Sequence, residues 1–168
     1  MSYFGIEKKL LLSVSAISSS ATQVIGLTET DITVFNGQSL TQLASSIGYP
    51  TISSSSNQIA LEQGWHYLIS VRLKVDDSSV TTSEYMRFFA SDTANNAISS
   101  VGLQIVYRDT NASIAQENCI AYIDASSSQQ IFKVRAQKIT STGSMTINGT
   151  TNALPADFKS HILIKAWK

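Results

Sequence analysis

Only one cysteine and two histidines occur in 168 residues, and charged residues make up 14% of the chain. The single cysteine, Cys119, excludes an internal disulfide framework and any zinc site built from several cysteines. Histidine is the commonest acid, base and metal ligand, and here it stands only at His66 and His161, in separate stretches. The charged fraction falls well below the roughly 25% typical of soluble domains. Twelve Lys and Arg balance twelve Asp and Glu, and the cations are scattered, so no counterion-release footprint points to nucleic acid. So little charge also gives weak colloidal repulsion, which implies that other protein covers part of the surface.

Long hydrophobic runs are missing too. No stretch approaches the ~20 apolar residues of a membrane helix. The opening "MSYFGIEKKLLLSVSAISSSA" places Lys8 and Lys9 before an apolar run ending in small residues, superficially like an export leader. Leu10, Leu12, Val14 and Ala16 alternate with Ser13 and Ser15, however, and that reads as a strand.

What the chain does contain is serine and threonine, about a quarter of all residues and far above ordinary usage. Short hydroxyl side chains suit strand faces and turns. Period-two segments follow one another, the signal of an all-β sandwich or barrel. The expected strands are Lys9–Ile17, Thr22–Leu27, Ile32–Phe35, Gln58–Leu61, Trp65–Val75, Glu84–Phe89, Ser100–Arg108, Glu117–Asp124, Gln130–Ile139, Ser144–Ile147 and His161–Trp167. Between them lie Asn36-Gly37, "GYP", "SSSSN", Asp76-Asp77, "DTANN", "SSS", "STGS" and Asn148-Gly149, residues that tolerate left-handed φ or bond their own backbone. One short helix is expected over "QSLTQLASSIG", where Leu40, Leu43, Ala44 and Ile47 recur at helical spacing before Gly48 and Pro50. With no repeat and no linker, the length suits a single domain over residues 1–168, with 1–9 as an N-terminal arm.

Parity shows which faces are covered. "IFKVRAQK" has Phe132, Val134 and Ala136 opposite Lys133, Arg135 and Gln137, and so has one wet face. In "HILIKAW", Ile162, Ile164 and Ala166 are opposed by Leu163 and Trp167; in "NCIAYI", Cys119, Ala121 and Ile123 are opposed by Ile120 and Tyr122. A sandwich sheet has one inner face, so strands apolar on both sides need a second cover, and a second subunit would supply it. The candidate subunit-interface residues are Cys119, Ile120, Tyr122, Leu163 and Trp167.

Catalytic patterns are not evident. No nucleophile elbow, phosphate loop, dinucleotide fingerprint or metal-ligand spacing appears, so neither catalytic residues nor a cofactor nor a metal is expected. Asp76-Asp77 and "SDTANN" follow no calcium-loop spacing and read as turns. Asn111-Ala112-Ser113 and Asn148-Gly149-Thr150 match the glycosylation acceptor pattern and also read as turns.

The order from Asn57 onward is a short strand, "EQG", a long aromatic-led strand, further strands and an apolar strand at the C-terminus. "NQIALEQGWHYLISVRLKV", "FFASDTANNAISSVGLQIVYRD" and "HILIKAW" together resemble the compact heads of the tumour necrosis factor and complement-head superfamily, which viruses use in decoration proteins and fibre tips. The resemblance spans about the last two-thirds of the chain. It departs from the family at Gly64-Trp65-His66-Tyr67, where a glycine-x-tyrosine is usual. It implies an antiparallel jelly-roll β-sandwich that assembles as a homotrimer. The expected function is non-enzymatic: a bacteriophage capsid decoration or cement protein, made in the host cytoplasm, that binds the major capsid protein at the virion surface. No nucleic-acid or membrane partner is expected. The alternative expectation is a tail-fibre or baseplate tip that recognises host glycans.

Overall fold

A computed structural model of the chain describes residues 12–77, 84–106, 113–115, 118–139, 145–148 and 159–168. In chain order its first strands are β1 (Leu12–Ser19), β2 (Gln23–Ile25), β3 (Thr30–Asp31), β4 (Leu40–Ser45), β5 (Ile52–Ser55) and β6 (Gln58–Leu61). There follow β7 (His66–Arg72), β8 (Val75–Asp77), β9 (Glu84–Ser91), β10 (Gly102–Val106) and β11 (Ser113–Ala115). The last are β12 (Cys119–Asp124), β13 (Gln130–Lys138), β14 (Met145–Ile147) and β15 (Ser160–Trp167). No helix occurs among the described residues, and the strands pair antiparallel throughout.

Two large sheets form a sandwich-like, all-β fold. One runs β12-β7-β15-β1-β4; the other runs β11-β10-β9-β13-β6-β5, with β3 paired to β13. A small third sheet, β2-β14-β8, joins them at one end. The alternating residues explain the layering. Tyr67, Ile69 and Val71 of β7, Ile162, Ile164 and Ala166 of β15, and Cys119 and Ala121 of β12 are buried on one side. Met86 and Phe88 of β9 and Phe132, Val134 and Ala136 of β13 belong to the same hydrophobic cluster. Each Val, Ile, Met or Phe side chain among them contributes about 1.5–3 kcal/mol when taken from water, which favours this pairing of strand faces over others.

The stretch Trp65–Val75, expected as one strand, keeps its parity but not its ladder. Trp65, Tyr67, Ile69, Val71, Leu73 and Val75 are all buried, yet the strand breaks at Leu73–Lys74. β7 stays in the five-stranded sheet, and β8 crosses to pair with β14. Gly64, at φ 88°, supplies the turn into β7. Its amide donates to the Ala125 carbonyl (2.8 Å), and the Ala125 amide donates back to Trp65 (3.0 Å).

Three other expectations are corrected. The expected helix over "QSLTQLASSIG" is the strand β4, paired with β1. A β-bulge leaves Leu43 without a partner between Ala44, opposite Val14, and Gln42, opposite Ser15. That extra residue breaks the period of two and mimics helical spacing. The expected strand Ile32–Phe35 is shifted: β3 ends at Asp31, and residues 34–37 form a turn. Ile32, Val34 and Phe35 are nonetheless buried, so core demand rather than a ladder explains their apolar character. The serine run expected as a turn is β5, joined to β6 through Ser56 and Asn57, both at positive φ as a type I′ hairpin requires.

Ser113 and Asp76-Asp77, expected in turns, instead open the short strand β11 and close the strand β8, respectively. The suggested N-terminal arm, residues 1–9, and the positions Asn111, Ala112, Gly149 and Thr150 lie outside the described residues.

Candidate assembly face

The outward parity of the five-stranded sheet brings together residues from distant parts of the sequence. Strand register aligns Asp124, His66, Trp167 and Leu12 in one row across β12, β7, β15 and β1. The next row holds Tyr122, Leu68, Lys165 and Val14; the one after it holds Ile120, Ser70, Leu163 and Ala16. Tyr122 is 55% exposed and Ile120 50% exposed, values high enough to mark these side chains as lacking cover within the chain. Leu163 and Trp167 are half-buried.

One end of this face is an aromatic cluster. His66 stacks with Tyr122 (centroids 6.2 Å apart) and with Trp167 (6.0 Å), while Tyr122 and Trp167 meet at 6.0 Å, tilted by 31°. Such offset geometry is favourable beyond the area buried. The Tyr122 hydroxyl lies 2.9 Å from His66 Nδ1, and the Asp124 carboxylate lies 3.3 Å from the same nitrogen. A neutral ring protonated on Nε2 accepts the Tyr122 proton there; a protonated Nδ1 donates instead. The Ser126 side chain and amide hold the Asp124 carboxyl below its ordinary value, with His66 adding to the effect. Beyond this edge, the Lys168 ammonium sits 4.4 Å from the centroid of Trp65.

The five candidate interface residues therefore divide. Ile120, Tyr122, Leu163 and Trp167 share the outer face, while Cys119 points inward and is 1% exposed. Burial pushes the Cys119 thiol up to about 11, against a hydrogen bond from Ser99 that lowers it. The residues that sequence reading missed are His66 and Leu68. In the sequence His66 stands apart from the other histidine, and no pattern within one strand reveals which residues of other strands flank it.

The two histidines do not meet: His66 is opposite Trp167, and His161 is opposite Arg72 at the other end of the same ladder. Among the described residues, no group of three or more His, Cys, Asp and Glu is placed to hold a metal ion. On the second sheet, an open cleft of about 360 Å3 is lined by Glu29, Asp31, Asn95, Lys133 and Arg135, among others. Its charges face one another. Arg135 pairs with Glu29 and reaches Asp31 through Nε at 3.1 Å, Arg87 meets Glu29 at 3.3 Å, and Lys133 meets Asp31 at 3.4 Å. The part-exposed Arg87 stabilises its pair by about 0–1 kcal/mol, whereas Lys133 and Arg135 are largely enclosed.

No protein-family model matches this chain, and no curated protein is similar to it in sequence.

Proposed function

We propose that this chain is a jelly-roll head that assembles as a homotrimer through the outer face of the five-stranded sheet and serves as a non-enzymatic capsid decoration protein. The observation that carries the reading is the strand order combined with that uncovered face. Eight of the strands lie as β12-β7-β15-β1 and β10-β9-β13-β6. Followed in sequence, β1, β6, β7, β9, β10, β12, β13 and β15 change sheet at each step except β9 to β10. This alternation supports a double Greek key, and with it the likeness drawn from "NQIALEQGWHYLISVRLKV" and "HILIKAW".

The face itself supports self-association. Tyr and Trp are the residues that most often dominate binding energy, and here they stack beside apolar Ile120 and Leu68 with few charges between them. A closed ring of identical subunits would cover this surface without leaving a free copy of it. The capsid role extends the resemblance by analogy, since the fold alone does not fix function.

Light scattering across a dilution series, followed by binding of the purified protein to capsids that lack it, tests both parts. A concentration-independent trimer that binds and protects capsids is expected. A monomer at every concentration that neither binds nor protects them would remove the reading. The stacked rings also favour a second reading, a fibre or baseplate tip that lays a sugar ring on Tyr122 and Trp167, and a glycan array with monomeric protein would reveal it.

A further inference from the structure

Lys133 is the most enclosed cation of the polar cleft. Its side chain is 11% exposed, against 14% for Arg135 and 43% for Arg87. Its closest polar contact is not a carboxylate. Lys133 Nζ lies 2.7 Å from the carboxamide oxygen of Asn95 and 3.4 Å from Asp31 Oδ2. A lysine in an ordinary surface ion pair would sit nearest the opposite charge; here a neutral carboxamide takes the shorter contact, and the carboxylate stands beside the amine.

Each of the three groups is fixed by its own element. Asn95 is at φ 73° in the loop between β9 and β10, and that loop is closed on itself. The Asn95 amide donates to the Asp92 carbonyl (3.2 Å), and the Asp92 carboxylate accepts the Asn96 amide (2.8 Å) and Asn96 Nδ2 (2.9 Å). Lys133 is in β13, paired with Ser91 at the foot of the same loop. Asp31 is paired with Arg135, whose Nε holds Oδ1 at 3.1 Å, so Oδ2 is the oxygen turned to the lysine.

We propose that Lys133 and Asn95 form an intramolecular isopeptide bond, with Asp31 as the proton carrier. The neutral Nζ attacks Cγ of Asn95, and Asp31 accepts a proton from Nζ as the new N–C bond forms. The tetrahedral intermediate collapses by breaking Cγ–Nδ2, and Asp31 returns the proton to the departing nitrogen. The products are a secondary amide and ammonia, so the step balances with no oxidant and no cofactor. Asn95 is exposed, which gives the ammonia a path to water. Well-oriented groups held together by a fold reach effective concentrations of ~10⁵ M or more, and the 2.7 Å contact of Nζ with Asn95 Oδ1 holds the amine beside the carbon it must attack. The link would close the chain between residues 95 and 133. For a chain with one cysteine, it does what a disulfide does elsewhere by restricting the unfolded state.

The test is the intact mass of the full chain under denaturing conditions, after incubation at neutral and at mildly alkaline pH, followed by peptide mapping. The expected result is loss of one ammonia and a branched peptide joining Lys133 to Asn95, accumulating faster at the higher pH because only the uncharged amine attacks. Lys133→Arg preserves the cation, and Asp31→Asn preserves the side-chain shape. Both variants should keep a cooperative melting transition and the full mass. A wild-type mass unchanged at both pH values overturns the proposal. So does an ammonia loss that persists in Lys133→Arg, since that marks cyclisation of an asparagine onto its own backbone.

Discussion

Asn148 and Ser160 meet twice: Asn148 Oδ1 accepts the Ser160 amide at 3.0 Å and the Ser160 hydroxyl at 2.8 Å. The Asn148 Nδ2 donates to the carbonyls of Ser19 and Ala21, both at 2.9 Å. Its own amide donates to the Lys74 carbonyl (2.9 Å), and the Lys74 amide donates to Ser160 Oγ (2.9 Å). One asparagine at φ 54° thus ties the ends of β1, β14 and β15 to the point where β7 gives way to β8. The Lys74 amide and carbonyl freed by that break are bonded rather than orphaned, which helps a buried strand to change sheets there.

Asn148→Ala should accordingly be among the most destabilising single changes. It removes four side-chain hydrogen bonds and leaves buried partners, including the Ser160 amide, without replacement. Unsatisfied buried groups cost about 1–3 kcal/mol each, and partial relaxation brings the expected total to about 3 kcal/mol. Asn148→Asp should fare no better at neutral pH, because a carboxylate oxygen would face the Ser19 and Ala21 carbonyls. Urea unfolding followed by tryptophan fluorescence gives both values; a loss under about 1 kcal/mol for Asn148→Ala would show that water or neighbouring groups replace the asparagine.

Gly102 carries the ring of Phe88 directly on its backbone. The two are opposite each other in the β9–β10 ladder, and a Cβ at Gly102 would overlap the Phe88 ring, lying 2.7 Å from both Cε atoms. Phe88 is fully buried, so its ring can move away only by displacing its core neighbours. Gly102→Ala is therefore expected to cost about 1–3 kcal/mol through overpacking. Gly102→Ala combined with Phe88→Leu should recover part of that loss, and a thermal-melting cycle over the four proteins measures the coupling. Additive effects would mean that the backbone of β10 shifts instead.

Much of this architecture was legible in alternation alone. The strands with a clean apolar parity, such as β7 and β13, are legible because one face is buried and the other is largely polar. Strand β15 is legible from its strict alternation of buried residues even though both its faces carry apolar side chains. The failures have physical causes. In β4 only Leu40 and, just beyond it, Ile47 reach the core, and the bulge at Leu43 gave the remaining apolar residues a helical rhythm. In β5 three serines hid a strand, because hydroxyl side chains serve strand and turn equally well. The outer aromatic cluster was half legible: Tyr122 and Trp167 stood out as a second apolar parity. Their contact with His66 depends on register between strands far apart in sequence, which no single segment encodes.

The buried thiol of Cys119 gives a pH signature with a definite sign. Burial raises its folded value from 9.0 to about 11, so the folded chain holds the proton more tightly than the unfolded one. The resulting stability is fully present below pH 9.0 and is lost as pH rises toward about 11. Replacing the thiol by Cys119→Val should flatten the decline in unfolding free energy over that window relative to wild type. Tyr67, also raised by burial, should leave a residual slope in both proteins that begins above pH 10.0, inside the same window, and continues to higher pH. An identical pH profile for the two chains would place the thiol in contact with water. Thiol-reagent labelling that is as fast in native as in unfolded protein would say the same.

The outer face of the five-stranded sheet can be tested apart from the fold because Ile120 and Tyr122 stand half exposed outside the core. Ile120→Asp should change monomer stability by no more than about 0.5 kcal/mol, the range of ordinary surface substitutions, and Tyr122→Lys, which also gives up the ring contacts with His66 and Trp167, by about 0.5–1.5 kcal/mol. If three copies bury this face together, each variant places a charge in every subunit against desolvated apolar neighbours. A like charge repeated around a threefold axis cannot pair with itself, so association should weaken by tenfold or more, about 1.4 kcal/mol at least. Trp167→Phe keeps an aromatic ring in the stack and adds no charge, so it should assemble far better than Tyr122→Lys. Sedimentation across a concentration series distinguishes the cases: dissociated Tyr122→Lys beside assembled Trp167→Phe places the interface here. Assembly unaffected by Ile120→Asp and Tyr122→Lys together would move it to another surface and leave the stacked rings of His66, Tyr122 and Trp167 free for a ligand instead.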